Sequence, residues 1–232
     1  MLTRRSLLRA GGVMAATGLS GGLAGCMTPT ADSAASLSPI APTMPLYYAA
    51  VNDEQFPIEA VPANVVPKRY WRQRVPDPTG EAPGTIVVDP DAFYLHFVEP
   101  SGTAMRYGIG VGKAGFEWAG EAKVQYKRRW PKWTPPAEMI AREPELEQYS
   151  AANGSYPPGP TNPLGARALY LFQNGEDTLY RIHGSPEAWT IGKAVSSGCI
   201  RLLNQDIIDL HDRVPNGARV VVRTSQTPGA LA

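Results

Sequence analysis

The chain lacks three features that would each indicate a class of function. It has no block of like charge, and its formal net charge of +1 gives no indication of a nucleic-acid partner. Its three histidines have no acidic cluster at metal-ligand spacing, so we expect no metal site and no cofactor. The apolar stretch near the N-terminus is too short and too rich in glycine to span a bilayer, which takes about 20 apolar residues.

Long stretches without glycine or proline are also scarce, because the chain holds 23 of each residue. Because glycine and proline destabilise helix interiors, long helices are not expected. Short apolar runs lie between turn-forming residues, and several alternate with polar residues as half-buried strands do. These runs are 85–88, 93–98, 105–111, 168–172, 178–182 and 218–222. The pattern predicts a mainly β fold, a sandwich or barrel with a few short helices.

Two short helices are predicted in the second half of the chain. The first covers 135–142, with Thr134 as its N-cap and Pro135 at the first helical position. The second covers 205–213, is capped by Asn204, and ends before a Pro-Asn-Gly turn.

The N-terminus resembles an export signal. Its first nine residues hold three arginines and no acid, and a short stretch of small and apolar residues follows. Adjacent Arg4 and Arg5 resemble a twin-arginine signal, and the sequence LAGC ending at Cys26 resembles a lipobox in which the cysteine is acylated. We predict a signal peptide over 1–25 and a periplasmic protein held to a membrane by this lipid alone, with Met27 favouring the outer membrane. The alternative is that Cys26 is removed with an ordinary signal peptide.

The remainder of the chain divides by composition. Residues 26–45 are rich in Ser, Ala, Thr and Pro and almost uncharged, which predicts a flexible linker. Residues 46–225 carry the aromatic and branched aliphatic residues and are long enough for a single domain, and 226–232 form a tail. Removal of the three signal-peptide arginines would change the formal net charge from +1 to −2.

The second cysteine of the chain, Cys199, is the most informative single residue. If Cys26 is acylated or removed, Cys199 has no disulfide partner within the chain. In an oxidising compartment such a thiol is either buried and inert or kept for chemistry. Composition alone does not separate these two interpretations.

The residues near Cys199 favour a reactive thiol over an inert, buried one. A thiol with a pKa near 8.5 is only a few per cent ionised at neutral pH, so a thiol nucleophile needs a base, and His183 is the candidate. Gly198 permits a tight turn, and its amide and that of Cys199 are candidate oxyanion donors. The planar fork of Arg201 suits a substrate carboxylate. The alternative for this arginine is an ion pair with an aspartate of the following helix, Asp206 or Asp209.

The arrangement His-Gly followed by Ser-x-Gly-Cys-Ile-Arg, with fifteen residues between His183 and Cys199, resembles the signature of the YkuD-type L,D-transpeptidases. Residues 85–89 resemble the first strand of that family and 108–112 its glycine-rich strand. The resemblance continues through 162–170 and covers about 85–223. In the family histidine is common at the position of Ser197, which we regard as a candidate substrate contact.

The resemblance implies a single catalytic domain that acts on peptidoglycan. Cys199 would attack the third residue of a stem tetrapeptide, release D-Ala and hold a thioester, with His183 as base and the Gly184 carbonyl orienting the imidazole. An amine acceptor then resolves the thioester. A diaminopimelate acceptor gives 3–3 cross-links, and an envelope protein as acceptor becomes anchored to the wall.

Other interpretations remain open from the residues. A hydrolase on the same site, either an L,D-carboxypeptidase or an enzyme that detaches wall proteins, would need the same groups, because the difference lies in water access. A wall-binding lipoprotein with an inactive site is disfavoured by the intact His, Gly, Cys and Arg set. The Trp-rich stretch 118–133 is either a surface loop with buried aromatics or a lid over the cleft.

Overall fold

The structure of the protein, a computed structural model, describes residues 43–112, 120–196 and 198–223. The predicted signal peptide, Cys26, most of the predicted linker, Trp118, Ser197 and the C-terminal tail lie outside the described residues. Eleven strands and two α-helices are present in the described part. The strands are β1 Gln73–Pro76, β2 Ile86–Asp89, β3 Tyr94–Val98, β4 Thr103–Gly108, β5 Gly110–Gly112, β6 Gly120–Arg129, β7 Arg167–Gln173, β8 Glu176–Ser185, β9 Ala194–Ser196, β10 Ile200–Leu203 and β11 Arg219–Val222.

The helices are few and short, as the sequence predicts. They are α1 Ala137–Arg142 and α2 Asn204–Arg213, with 3-10 turns at Leu46–Tyr48, Lys68–Tyr70, Pro144–Tyr149 and Ala188–Thr190. None of the helices in the described part of the chain is long and apolar enough to cross a membrane.

All eleven strands belong to one sheet, in the order β1-β4-β3-β2-β11-β6-β7-β8-β10-β5-β9. Only Ile109 separates β4, near one end of this order, from β5, near the other end, so the two ends of the sheet come together. One apolar cluster contains buried residues from both halves of the sheet. Among them are Leu95 and Tyr107 from one half and Val111 and Ile200 from the other. The mainly β class is therefore confirmed, and the sheet curves around a shared core that α2 covers through Ile207 and Leu210.

Each predicted apolar run overlaps a strand, but several details differ. The run 105–111 is split into β4 and β5. Within the Trp-rich stretch 118–133, for which the sequence suggests a surface loop with buried aromatics or a lid, residues 120–129 form the ten-residue strand β6, and Trp130 is buried. The first helix begins at Ala137, with Pro136 and not Thr134 at the N-cap position; the Thr134 hydroxyl contacts that of Ser155 at 2.7 Å. The second begins at Asn204, whose side chain accepts a hydrogen bond from the amide of Ala166 at 2.9 Å.

The residues before β1 pack against the rest of the domain through buried polar contacts. The hydroxyl of Tyr48 donates to Asp206 at 3.0 Å, and the guanidinium of Arg72 lies 3.1 Å from Asp209, both on α2. Glu54 pairs with the guanidinium of Arg167 on β7. This N-terminal segment, 43–72, therefore forms part of the folded domain.

Candidate active site

The two residues of the predicted catalytic pair are positioned by neighbouring strands. His183 belongs to β8 and Cys199 directly precedes β10, which pairs with β8 in parallel. Arg201 lies opposite His183 in this register, which begins at Ile200 and Ile182. One further residue pair would place Cys199 beside Arg181. Side chains of paired residues, and of residues two apart along a strand, point to the same face of a sheet. All four side chains therefore share one face, while the isoleucines between them belong to the core cluster.

His183 is held by contacts of its own strand. Its imidazole is buried, and Nδ1 lies 2.6 Å from the carbonyl oxygen of Gly184. A carbonyl oxygen only accepts, so Nδ1 of the neutral ring carries the proton and Nε2 keeps the lone pair.

Residue 184 has to be glycine because its surroundings are already filled. The side-chain oxygen of Asn204 occupies the place where a Cβ on Gly184 would stand, and Ile207 Cγ2 lies 2.8 Å from that position. Any side chain there would displace the backbone carbonyl that contacts His183. Asn204 is thus a supporting residue that the sequence analysis treated only as a helix cap.

The turn before β10 presents the thiol. Gly198 has φ of 145°, which L side chains rarely adopt, and it is buried, whereas Cys199 is partly exposed. The oxyanion role of the amides of Gly198 and Cys199 stays a prediction, as does the substrate contact of Ser197.

Burial sets the resting charge of the thiol and the imidazole. It lowers the pKa of His183 to about 4; the Gly184 carbonyl opposes this shift, and the nearby arginine charges add to it. Burial raises the pKa of Cys199, while the backbone amide of Arg181 and the charges of Arg181 and Arg201 act in the opposite direction. At neutral pH the pair is therefore a neutral imidazole and a neutral thiol, and the base is free to take a proton.

Alkylation of Cys199 by iodoacetamide is expected to accelerate about tenfold per pH unit between roughly pH 6 and 8. Only the thiolate reacts, the raised pKa of Cys199 keeps it a minor species, and a His183 with a pKa of about 4 supplies no imidazolium to stabilise it. Peptide mass spectrometry would follow the rate at Cys199 separately from that at Cys26. A rate that already levels off below pH 7 would indicate a thiolate–imidazolium pair and contradict this assignment.

Arg201 forms its ion pair with Glu187 and not with an aspartate of α2. Its Nη1 lies 2.8 Å from a carboxylate oxygen of Glu187, in place of the suggested ion pair with Asp206 or Asp209. The Nε of Arg201 is buried and has no hydrogen-bond partner in the described part of the chain. The guanidinium therefore keeps donor capacity for a ligand.

Arg181 also lies on this face and was not singled out from the sequence. Its guanidinium makes two hydrogen bonds to the carboxylate of Asp177, at 2.7 and 2.8 Å, and lies 4.4 Å from the ring centre of Tyr170. A signal was available, because Arg181 stands two residues before His183 in a strand pattern of period two.

A pocket of about 340 Å³ adjoins the site at the carboxyl ends of β8 and β10. It is lined by Ser185 and Leu203, which follow His183 and Arg201 by two residues and therefore lie on the same face. Another wall is formed by 57–62 of the N-terminal segment.

The remaining histidines lie on other elements. His96 is buried in β3, and His211 on α2 has Nδ1 3.3 Å from the carboxylate of Asp212. Among the residues that the structure describes, no three His, Cys, Asp or Glu side chains are grouped as metal ligands would be.

Comparison with known proteins gives a consistent family match. The sequence profile of the YkuD family, described as the L,D-transpeptidase catalytic domain, matches residues 83–222. Two relatives from Escherichia coli K12 are similar. The probable L,D-transpeptidase YbiS is 35% identical over 63% of this chain and 45% of its own length, and the probable L,D-transpeptidase ErfK/SrfK is 37% identical over 59% and 43%. The chain thus spans less than half the length of these two relatives.

A solved structure from Brucella melitensis is also similar. It is described as a probable carnitine operon oxidoreductase, is 49% identical, and covers 68% of this chain and 96% of its own, with a TM-score of 0.48.

Proposed function

The chain belongs to the YkuD family of L,D-transpeptidase catalytic domains, and we propose that it transfers peptidoglycan stem peptides through a thioester on Cys199. The observation that carries this proposal is the pairing of β8 with β10, which puts Cys199 and the neutral His183 on one face of the sheet. A thiol and a base on one face of adjacent strands, with the second nitrogen of the base held by a carbonyl, are the groups that nucleophilic acyl transfer needs.

In the acylation half-reaction, the thiol proton of Cys199 moves to Nε2 of His183 as the sulfur attacks the carbonyl carbon of the third stem residue. The carbonyl oxygen becomes an oxyanion, for which the amides of Gly198 and Cys199 are the proposed donors, each worth about 3 kcal/mol when well placed. Collapse breaks the peptide C–N bond, and the proton on His183 passes to the amine of the leaving D-Ala. The acyl group remains on sulfur as a thioester.

In the second half-reaction, an acceptor amine gives a proton to His183 and attacks the thioester carbon. The C–S bond breaks, a new amide forms, and the proton returns from His183 to the sulfur. The lowered pKa of His183 keeps the imidazole unprotonated between these steps, so that it is ready to act as base. Diaminopimelate or a protein amine would serve as acceptor.

Arg201 is proposed to bind a carboxylate of the donor. Its position opposite His183 puts it within one strand spacing, about 4.8 Å, of the catalytic base. The ion pair with Glu187, a half-exposed residue, leaves the buried Nε of Arg201 available to such a ligand. Exposed pairs of this kind contribute little stability, so a substrate carboxylate can compete for the arginine.

The purified protein is expected to consume stem tetrapeptides and to leave pentapeptides, because the proposed chemistry cleaves after an L-centred third residue. Both donors would be offered with a diaminopimelate-containing acceptor and the products identified by mass, with free D-Ala and a 3–3 linked dimer expected. Accumulation of tripeptide without dimer would assign the same site to a hydrolase. Preference for the pentapeptide, with Cys199 shown to be reduced, would contradict the proposal.

A carbapenem provides an independent measure of the nucleophile. Its strained ring presents a carbonyl to an activated thiol, so we expect one covalent adduct, located on Cys199 by peptide mass. This adduct tests acylation even if the correct acceptor has not been found.

We also propose that the protein is exported to the periplasm and anchored through an acylated Cys26, by the resemblance of its first 26 residues to a lipoprotein signal. Cys26→Ser is then expected to move the protein from the membrane fraction to the soluble periplasmic fraction. An unmodified mature N-terminus and unchanged fractionation would show that the anchor is absent.

A further inference from the structure

We propose that Arg181 is a specificity-determining residue that binds a carboxylate of the acyl-donor peptide next to the nucleophile, an inference that rests on the proposed function. The parallel register of β8 and β10, continued by one residue pair, places the backbone of Arg181 one strand spacing, about 4.8 Å, from that of Cys199. The guanidinium itself lies over Tyr170 on β7, the strand on the other side of β8. A group that it binds therefore lies about a side-chain length from the thiol, so it belongs to the residue being acylated or to its immediate neighbour.

The guanidinium of Arg181 is held in place before any ligand arrives. The carboxylate of Asp177 accepts hydrogen bonds from Nη1 and Nη2, and the ring of Tyr170 lies beneath the guanidinium. Tyr170 in turn stacks on Tyr126 of β6, with ring centres 4.4 Å apart and planes 20° apart. Stacking of this kind suits the flat guanidinium of arginine and not the ammonium of lysine.

One edge of this guanidinium remains for a ligand. Nη1 donates to Asp177 and to the carbonyl oxygen of Tyr180 at 2.9 Å, and Nη2 donates to Asp177. A guanidinium has five N–H donors, and the Nε–H and the second N–H of Nη2 meet no acceptor among the described residues. These two donors form a side-on fork that matches the two oxygens of a carboxylate.

The chemistry of the proposed donor supplies suitable groups. A diaminopimelate at the third position carries a second carboxylate on its side chain, and the leaving D-Ala ends in another. Two arginines, Arg181 and Arg201, stand next to Cys199 on one face, each with donors left over from its own acidic partner. Amidation of either donor carboxylate would remove the charge that a guanidinium recognises.

The test uses three tetrapeptide donors with the full-length protein. One is unmodified, one has a carboxamide on the side chain of the third residue, and one ends in D-alaninamide. Arg181→Gln is expected to lower kcat/KM roughly ten- to a hundredfold for the unmodified donor and to leave it unchanged for one amidated donor, which identifies the carboxylate. Arg181→Lys, which keeps the charge and loses the fork, should fall between the wild type and Arg181→Gln.

Controls separate recognition from folding. Arg106 on β4 also lies over a tyrosine ring, 4.3 Å from the centre of Tyr94, and Arg106→Gln should leave all three donors within about twofold of the wild type. If Arg181→Gln does not fold, the same test is made with Arg181→Lys, by comparing its kcat/KM for the unmodified donor with that for each amidated donor. Equal losses of kcat/KM for all three donors, which leave the ratios between donors unchanged, would overturn the assignment of Arg181. The proposed function would not be affected by that result. If the wild type consumes no donor although Cys199 reacts with iodoacetamide, the proposed function fails and this inference with it.

Discussion

Cys199→Ala is expected to lower transpeptidation by at least about a thousandfold, because the proposed acyl intermediate forms on the sulfur that this variant lacks. His183→Ala should cost a similar factor, since the thiol of Cys199 has a raised pKa and depends on a base to lose its proton. The double variant should be no slower than either single one, because the two residues act in the same step. Initial rates of D-Ala release from the tetrapeptide would be compared for all three.

Two control variants each replace a cysteine or a histidine that lies outside the candidate site. Cys26→Ser removes the other cysteine, and His211→Gln changes a histidine on α2 outside the site; both purified proteins should keep the wild-type rate within about twofold. Thermal unfolding of all variants would show that the fold is retained. Full activity of Cys199→Ala, or an adduct on another residue, would refute the assignment of the nucleophile.

Glu54→Gln is expected to destabilise the protein by about 3 kcal/mol, the largest effect on stability that we predict. Arg167 is fully buried on β7, and its Nε already lacks a partner in the described part of the chain. Loss of the Glu54 carboxylate would leave that guanidinium without a counter-charge in a low-dielectric interior. The indole of Trp130, which donates to Glu54 at 3.0 Å, would lose its charged acceptor too.

Urea denaturation at neutral pH would measure this loss, and Glu121→Gln is the matched control. Glu121 pairs with Arg219 but is 61% exposed, so its replacement should cost less than about 1 kcal/mol. Equal losses for the two variants would contradict the structural role given to Glu54.

The same pair predicts a pH dependence. The hydrogen bond from Arg167 lowers the pKa of Glu54 below its ordinary 4.5, although burial opposes the shift. The stability that the pair contributes is therefore complete above pH 4.5 and is lost as the pH falls through the lowered pKa. The difference in stability between the wild type and Glu54→Gln should accordingly shrink on acidification, and a constant difference would show that the charge of Glu54 is not involved.

Much of the fold could be predicted from local patterns. Alternating runs such as 93–98 and 218–222 fall on β3 and β11, because the period-two pattern of a half-buried strand is a local property. The strand β6 was missed, since 120–129 combines a Gly start, four basic residues and neighbouring tryptophans, a composition that resembles a loop. Its long antiparallel pairing with β7 stabilises it as a strand regardless of that composition.

For the candidate site too, some features follow from local sequence and others from tertiary structure. The sequence alone determined the family resemblance and the choice of Cys199, His183 and Arg201 as candidate site residues, because these depend on residue types at fixed spacing along the chain. Only the tertiary structure decided that Arg181 and Cys199 come to neighbouring positions of adjacent strands, that Arg201 pairs with Glu187, and that 57–62 forms a wall of the adjoining pocket. These contacts join segments brought together by strand register and by the packing of the N-terminal segment against α2. Such pairings depend on the closure of the whole sheet, which no local sequence pattern specifies.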